Sequence, residues 1–355
     1  MNTINMVSKS TRIITLQSLR FVFCLFIFVF HYFRSVGSSG FEYGGDAGVT
    51  FFFMLSGLVV SIGCGHSVET GNFQYVRFLR KRLAKLYPLH LLTFVAALFM
   101  GILAGVKFNL TKTILHLFLL QEFSLSEDIM NYGSGLSWFL GTLFFCYILF
   151  PFVYKRFVIL HSVMSYIFLV LYISIVFALA SRCTNAAIDN YVFAFPPLRV
   201  IDFIIGVLIY RLYTMPISIR LKLWVEKQSA MLQSFFEIII VAISFMTWIS
   251  YNLLPSWLRF APCFWLPFSL LIYWFAIADN GRGVISRILS QRMLVFLGNI
   301  SFEIYMTHGI VINLCIFAWG RLLGYDTVCN PIHFVLCLLS TIIVSCVINR
   351  LFLRS

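Results

Sequence analysis

The chain has 355 residues, of which 61% are hydrophobic and only 11% are charged, and its formal net charge is +13. Soluble domains carry about a quarter charged residues, so this composition excludes an ordinary soluble globule and favours an integral protein of the lipid bilayer. The basic residues fall in loops between apolar runs, which membrane topology explains and which argues against a nucleic-acid partner.

Ten apolar runs are long enough to cross a bilayer, since a span needs about 20 residues and fewer where end residues snorkel. They cover roughly 15–34, 48–65, 87–105, 137–154, 160–180, 198–213, 232–252, 261–279, 296–317 and 332–349. The run 113–123 is too short to cross and predicts an interfacial or re-entrant helix. We therefore expect an all-α polytopic membrane protein with about ten transmembrane helices, in a single domain over residues 1–355.

Basic residues cluster in alternate loops, as in 77–85, 220–227 and 282–292. Lys and Arg are enriched in cytoplasmic loops, so this alternation predicts that both termini face the cytoplasm. The N-terminus also matches a cleaved signal peptide, with basic residues, an apolar run and small residues at 35–40. We favour an uncleaved anchor, because the apolar run is long and the next span needs a partner.

The first span carries two ionisable residues, Arg20 and His31, which are eleven positions apart. On a helix they differ by about 20° around the axis and by about 16 Å along it, so they line one face. Ionisable groups inside a span mark functional sites by default, and this stripe suits a long ligand threaded from the cytoplasm, near Arg20, toward the outside, near His31. The alternative is that Arg20 snorkels to lipid headgroups and His31 bonds to a neighbouring helix.

A basic cluster over residues 77–85 enters the third span from the cytoplasm. Cationic side chains beside a helix N-terminus form an anion site, so Arg80, Arg82 and Lys85 are candidate ligands for the phosphates of a nucleotide-like cofactor. Topology determination and contact with anionic lipids are the alternative explanation for such a run.

Further candidate residues that bind substrate or support the site lie in three other spans. Asp46 and Ser56 belong to a stretch of small residues that opens the second span near its outer mouth, where small side chains allow close helix packing. Trp138 opens the fourth span from outside, where a tryptophan can also be only an interfacial anchor.

The ninth predicted span contains Ser301 and His308, which are seven residues apart and share a helix face, together with the charge of Glu303. Interhelical hydrogen bonding is the structural alternative for these polar groups. In the sixth span, Arg199 and Asp202 are three residues apart and are expected to neutralise each other.

The remaining histidines lie at span ends or within apolar runs and are interpreted as structural: His66, His90, His116, His161 and His333. No Cys/His spacing typical of a metal site is present, so we expect no metal. The fingerprints of serine hydrolases, zinc proteases, P-loops and dinucleotide-binding proteins are absent as well.

These features, in this order, resemble the membrane-bound acyltransferase-3 family, whose members acylate surface glycans. The matching residues are Arg20 and His31 at the family's arginine–ten residues–histidine spacing; Gly48, Val49, Phe52, Phe53, Ser56 and Gly57; Arg82, Tyr87 and Pro88; and Gly298, Ser301, Phe302, Tyr305 and His308. The resemblance covers nearly the whole chain and is closest to the stand-alone form of the family.

The sequence departs from the family pattern at several positions. Lys85 replaces a second arginine, which keeps the charge but loses bidentate phosphate contact. Thr50 stands where aspartate is frequent, and Leu143 stands where many members have glutamate. These departures indicate a subfamily with a different acceptor or acyl group.

The resemblance implies a multi-pass O-acyltransferase of the bacterial inner membrane that transfers an acyl group, other than an aminoacyl group, from cytoplasmic acetyl-CoA. The implied acceptor is a hydroxyl of an envelope polysaccharide, such as the O-antigen of lipopolysaccharide, capsule or another lipid-linked glycan. Arg80, Arg82 and Lys85 would hold the donor's phosphates, and Arg20 would hold the cofactor or orient the site. His31 would be the general base or the covalent acyl carrier, assisted by His308.

Two functions from other classes remain open on the sequence. A transporter or glycan exporter would need carboxylates at mid-membrane, for which Glu303, Asp202 and Glu237 are candidates, although no internal repeat is visible. A structural member of a glycan-assembly complex would tolerate replacement of Arg20 and His31.

Overall fold

The fold is taken from a computed structural model that describes residues 13–38, 45–133, 135–184, 193–279, 281–322, 324 and 330–352. In these ranges the chain is helical and contains no β-strand. The predicted cytoplasmic position of the two termini concerns residues that lie partly outside the described ranges, and the orientation stays a prediction.

Sixteen α-helices follow one another along the described chain. They are α1 (Ile14–Ser35), α2 (Gly45–Glu69), α3 (Tyr75–Leu103), α4 (Leu110–Leu117), α5 (Glu127–Met130), α6 (Trp138–Tyr154), α7 (Val163–Ala180), α8 (Pro196–Thr214), α9 (Pro216–Lys227), α10 (Ala230–Ser250), α11 (Ser256–Arg259), α12 (Pro262–Ile277), α13 (Val284–Leu289), α14 (Arg292–Asn299), α15 (Ser301–Phe317) and α16 (Pro331–Phe352).

In the described chain, nine helical segments are long and apolar enough to cross a membrane, and a bent pair makes up to ten. The bent pair is α8 and α9, which meet at an angle of 71°. Pro216 is the first residue of α9 and lacks the backbone N–H that would continue α8, so the chain turns there. The predicted all-α polytopic fold with about ten spans is confirmed.

Two of the apolar runs do not form one continuous transmembrane helix. The run 113–123 forms the end of α4 and a short 3₁₀ turn at Gln121–Phe123, so it does not cross the bundle as a helix of its own. The run 296–317 is broken at Ile300, where α14 ends and α15 begins. The break separates an amphipathic helix from the buried one that follows it.

The core of the bundle is built on close contacts of α2 with α8. Gly57 and Gly206 face each other there, and a Cβ on Gly206 would overlap the carbonyl oxygen of Met54. Small residues at such crossings let two backbones approach and pack by dispersion contacts, which hold helices together where lipid offers no hydrophobic driving force. Helix α1 packs against α2, α14 and α15, and Gly298 of α14 lies directly against the backbone of Gln17.

A buried ion pair lies beside this crossing. Arg199 Nη2 is 3.2 Å from Asp202 Oδ2, and both side chains are almost fully buried. The guanidinium also donates to Thr50 Oγ1 at 3.1 Å and to the Phe260 carbonyl at 3.1 Å, while Trp265 Nε1 donates to Asp202 Oδ1 at 2.6 Å. The neutralisation predicted for Arg199 and Asp202 is confirmed, and the pair ties three segments together.

Gly206→Ala tests the close crossing, and Gly63→Ala in α2 is its matched control because the space around Gly63 is open. The new methyl group at position 206 is expected to destabilise the protein by about 1–3 kcal/mol through overpacking. At position 63 it is expected to stabilise the helix by about 0.5–1 kcal/mol. Thermal unfolding of the detergent-solubilised variants measures both effects, and equal shifts in the two variants would contradict the tight crossing.

Candidate active site

A cavity of about 920 Å³ opens at the end of the bundle where α1 ends and α2 begins. The loops before α6, before α8 and after α10 surround it, and α15 forms one wall. Its lining combines charged, amide and aromatic side chains, among them His31, Arg34, Asp46, Glu122, Glu127, Trp138, Tyr251, Asn252, Arg259, Tyr305 and Asn313. Helix α2 begins at the cavity and crosses the bundle, and α3 begins just after α2 ends. The basic cluster over residues 77–85, at the start of α3, therefore lies at the end of the bundle opposite the cavity. Such a mixed lining suits a polar, ring-containing ligand.

His31 lines this cavity, and the ring of His308 lies beside the His31 ring. Their ring centroids are 5.0 Å apart, with an angle of 49° between the ring planes. His308 Nδ1 lies 2.7 Å from the Tyr305 carbonyl oxygen, and because a carbonyl only accepts, Nδ1 carries the proton. His308 Nε2 is therefore a free lone pair, buried and without a hydrogen-bond partner among the described residues. The structure thus brings His31 of α1 and His308 of α15 side by side, and the assisting role expected for His308 stays a prediction.

Tyr305 lines the same cavity, one helical turn before His308. Its hydroxyl donates to the Leu136 carbonyl at 3.0 Å, and its ring is 5.1 Å from that of Phe139 and 5.9 Å from that of His308. The tyrosine thus fixes α15 to the start of α6. The sequence offered Tyr305 only as a member of a motif and did not single it out as a site residue.

Arg20 and His31 belong to one uninterrupted helix, α1, as their spacing predicts. Arg20 lies within electrostatic range of Cys24 and Tyr147, and Glu303 lies within range of Cys24 as well. Glu303 Oε1 accepts a hydrogen bond from Asn349 Nδ2 at 2.6 Å, so this carboxylate bridges α15 and α16. Glu303 is thus buried on the Arg20 side of the bundle, away from the cavity lining.

The other predicted residues fall into two groups. Asp46 and Trp138 line the cavity, and the Trp138 ring is 4.9 Å from that of Phe193 in the same wall. Ser56 and Ser301 do not line it. Ser56 Oγ donates to the Phe52 carbonyl at 2.7 Å, and Ser301 Oγ donates to the Gly298 carbonyl at 2.9 Å, at the break between α14 and α15.

The basic cluster divides between the interior and the surface. Arg82 is half-buried, and its guanidinium carbon lies 5.2 Å from the ring centroids of both Phe78 and Tyr147. Tyr147 is also within electrostatic range of Arg20, so Arg82 and Arg20 approach the same interior side chain. Lys85 and Arg80 are exposed; Lys85 shares the helix face of Arg82, whereas Arg80 is turned about 200° away.

Two histidines interpreted as structural hold the segment between α3 and α6 in place. His90 Nε2 is 2.9 Å from the His116 carbonyl oxygen, and His116 Nε2 is 2.7 Å from that of Ile129. Because His116 Nε2 donates, its Nδ1 accepts from Ser137 Oγ, which in turn accepts from Gln121 Nε2 at 3.1 Å. Burial lowers the pKa of His116 to about 4, so its ring is neutral at pH 7. The directions of these hydrogen bonds are therefore kept at neutral pH.

Glu122 is a buried carboxylic acid at the cavity that the sequence analysis did not single out. It lies in the 3₁₀ turn of the segment between α4 and α5, is fully buried and lines the cavity. Burial raises the pKa of its carboxyl well above the usual range. A signal was present, because Glu122 is a carboxylate inside the short apolar run 113–123 and such groups mark functional sites by default.

The sequence was compared with known proteins. The acyltransferase-3 family model, described as an acyltransferase domain, matches residues 13–350. The chain belongs to this family. An acyltransferase of Streptomyces mycarofaciens, MdmB, is 28% identical in an alignment over 306 residues that covers 79% of this chain and 72% of the relative. No solved structure matches.

Membership in the acyltransferase-3 family makes the protein a multi-pass membrane acyltransferase. Acyl transfer from a thioester or ester needs a group that removes a proton from the acceptor and a pocket that holds the acceptor against it. The cavity is a candidate for this pocket, and the His31 imidazole on its wall is a candidate for the proton-accepting group. The expected resemblance to this family is confirmed.

Labelling with a membrane-impermeant maleimide tests the orientation of the cavity. In a parent with Cys183→Ser and Cys329→Ser, Asn252→Cys at the cavity is expected to react in intact cells, because the alternation of basic loops puts this end outside. Glu226→Cys, exposed near the opposite end, is expected to react only after the cells are opened. Reversed labelling would put the cavity on the cytoplasmic side.

Proposed function

We propose that this protein transfers an acetyl group from cytoplasmic acetyl-CoA to a hydroxyl of an envelope polysaccharide, with His31 as the general base. The observation that carries the proposal is that His31 lines a polar cavity and that its ring centroid is 5.0 Å from that of His308. His308 is held in one tautomer by the Tyr305 carbonyl. Its unpartnered Nε2 can then accept a hydrogen bond from His31 and orient that ring.

In the proposed reaction, His31 removes the proton of an acceptor hydroxyl as its oxygen attacks the thioester carbonyl. The carbon–sulfur bond then breaks, the acetyl group is left on the acceptor oxygen, and the CoA thiolate takes the proton from the imidazolium. A covalent variant would pass the acetyl group through His31 before the acceptor attacks.

The donor is proposed to enter from the end of the bundle that carries the basic cluster. Arg82 and Lys85 share one helix face and would hold the phosphates, with exposed Arg80 as a peripheral contact. The half-buried position of Arg82, next to the Tyr147 ring that Arg20 also approaches, supports a route from the cluster into the bundle. The extended pantetheine arm would pass Arg20 and present the thioester near His31.

The acceptor is proposed to bind in the cavity from the outer face of a bacterial inner membrane. Aromatic side chains can stack on sugar rings, and charged and amide groups can bond their hydroxyls; Trp138, Tyr251, Asp46, Asn252 and Asn313 line the cavity and offer both. An O-antigen, a capsule or another lipid-linked glycan carries such rings, and a lipid link would bring it to this side of the bilayer.

His31→Ala is expected to lower glycan O-acetylation by about 10²-fold or more, since a positioned general base contributes that much. Arg20→Ala is expected to lower it too. The matched control is His66→Ala, because His66 is exposed. Mass spectrometry and NMR of envelope glycans from a complemented deletion strain give the measurement, and full acetylation in the His31→Ala strain would refute the proposal.

Arg82→Ala is expected to raise the KM for acetyl-CoA by about tenfold or more, with a smaller change in kcat, because one charge-assisted contact to phosphate is lost. Lys81→Ala removes an equal charge from an exposed neighbouring position and is the control. Release of the CoA thiol by the purified protein measures both constants. An unchanged KM in Arg82→Ala would place the donor elsewhere.

A further inference from the structure

Glu122 presents hydrogen-bonding atoms that the protein itself does not satisfy. The side chain is fully buried, and although the Gln121 side chain approaches the carboxyl, neither carboxyl oxygen meets hydrogen-bond geometry with a donor among the described residues. Leaving such a group buried and unpaired costs free energy. Glu122 also lines the cavity, so its carboxyl lies next to the space that a ligand would occupy.

Most of the neighbouring donors are engaged elsewhere, and the second N–H of the Gln121 amide is the one that approaches the Glu122 carboxyl. Gln121 Nε2 donates to Ser137 Oγ, Ser137 lies in the chain of bonds that leads to His116, and the Tyr305 hydroxyl donates to the Leu136 carbonyl. The Gln121 carbonyl oxygen, like the Glu122 carboxyl, is buried and without a partner. This corner therefore offers acceptors to a ligand that brings hydroxyl donors.

The position of Glu122 relates it to the reacting histidine. Glu122 lies within electrostatic range of the Tyr305 phenol, the Tyr305 ring is 5.9 Å from that of His308, and His308 is 5.0 Å from His31. Glu122, Tyr305 and His31 all line the same cavity. A hydroxylated ligand held by Glu122 is thereby placed on the side of the cavity where His31 acts.

We propose that Glu122 binds the acceptor and selects the hydroxyl to be acylated, by hydrogen-bonding to a second hydroxyl next to it. The inference rests on the proposed glycan acylation and narrows the acceptor to one that carries neighbouring hydroxyl groups, as a sugar ring does. A carboxyl group can accept a bond from one hydroxyl and, while protonated, donate to another. The burial of Glu122 favours its protonated form, which can make both of these hydrogen bonds. Glu122 is a specificity residue in this scheme and takes no part in bond breaking.

The structure also accounts for how Glu122 keeps its place. The His90–His116–Ile129 bonds fix the segment on both sides of the turn, and Phe94 stacks on His116 at 5.1 Å with nearly parallel rings. These contacts do not involve the carboxyl group. Replacing the carboxyl should therefore leave the segment folded, which separates a binding role from a structural one.

The test compares full-length Glu122→Gln and Glu122→Ala with Glu226→Gln, a control that alters an exposed carboxylate near the opposite end. Each variant is produced in a deletion strain, and folded protein is quantified by size-exclusion chromatography. NMR of the strain's own envelope glycan then gives the amount and position of O-acetyl groups per folded molecule, and purified protein gives the KM for acetyl-CoA.

Glu122→Ala is expected to lower O-acetylation on the order of tenfold or more, because a buried bond to the acceptor is lost. Glu122→Gln, of matched shape, is expected to spread the acetyl groups over neighbouring hydroxyls. The KM for acetyl-CoA is expected to stay unchanged in both variants, and Glu226→Gln is expected to match the wild type.

Wild-type amount and position of acetyl groups in Glu122→Gln would overturn the inference, even if Glu122→Ala fails to fold. A raised KM for acetyl-CoA with the acetyl position unchanged would overturn it as well. Failure of the underlying function is distinguishable, because it appears in other strains: full acetylation in His31→Ala, or identical glycans in the wild-type and deletion strains.

Discussion

The buried Arg199 guanidinium organises the cavity end of the bundle. It pairs with Asp202, donates to Thr50 and to the Phe260 carbonyl, and lies between the Phe53 and Phe193 rings, 5.2 and 5.1 Å from their centroids. A buried charge that loses its partners costs several kcal/mol, so α2, α8 and the segment before α12 have one arrangement that satisfies it. Phe193 and Phe260, which this arrangement positions, line the cavity.

A second constraint brings the two histidines together. Helix α1 runs without interruption past α14 and α15, and Gly298 allows α14 to lie against the α1 backbone at Gln17. The chain then breaks at Ile300, and α15 continues as a buried helix that carries His308 to the ring of His31. Gly298 and the break at Ile300 therefore both place His308 next to His31. A bulkier residue at position 298, or a straight helix through position 300, would move His308 away from that ring.

Much of the fold was predictable from the sequence, because an apolar run long enough to cross the bilayer forms a transmembrane helix. The Arg20–His31 stripe was predictable for the same reason, since both residues lie on one regular helix. The bend at Pro216 and the break at Ile300 were not predicted, because both lie inside or beside long apolar runs whose hydropathy is insensitive to local backbone geometry. The segment 113–123 was predicted only as a non-spanning helix.

The sequence by itself determined the family, the helical fold and the spacing of Arg20 and His31, since these depend on local pattern and helix periodicity. Only the tertiary structure decided which polar groups share the cavity. Ser56 bonds within its own helix, Ser301 bonds back to α14, Glu303 bonds to Asn349, and Arg80 is exposed. Glu122, from a segment distant in sequence from both histidines, reaches the cavity instead. The physical reason is that burial and hydrogen-bond satisfaction depend on neighbours that packing supplies, and no span determines these alone.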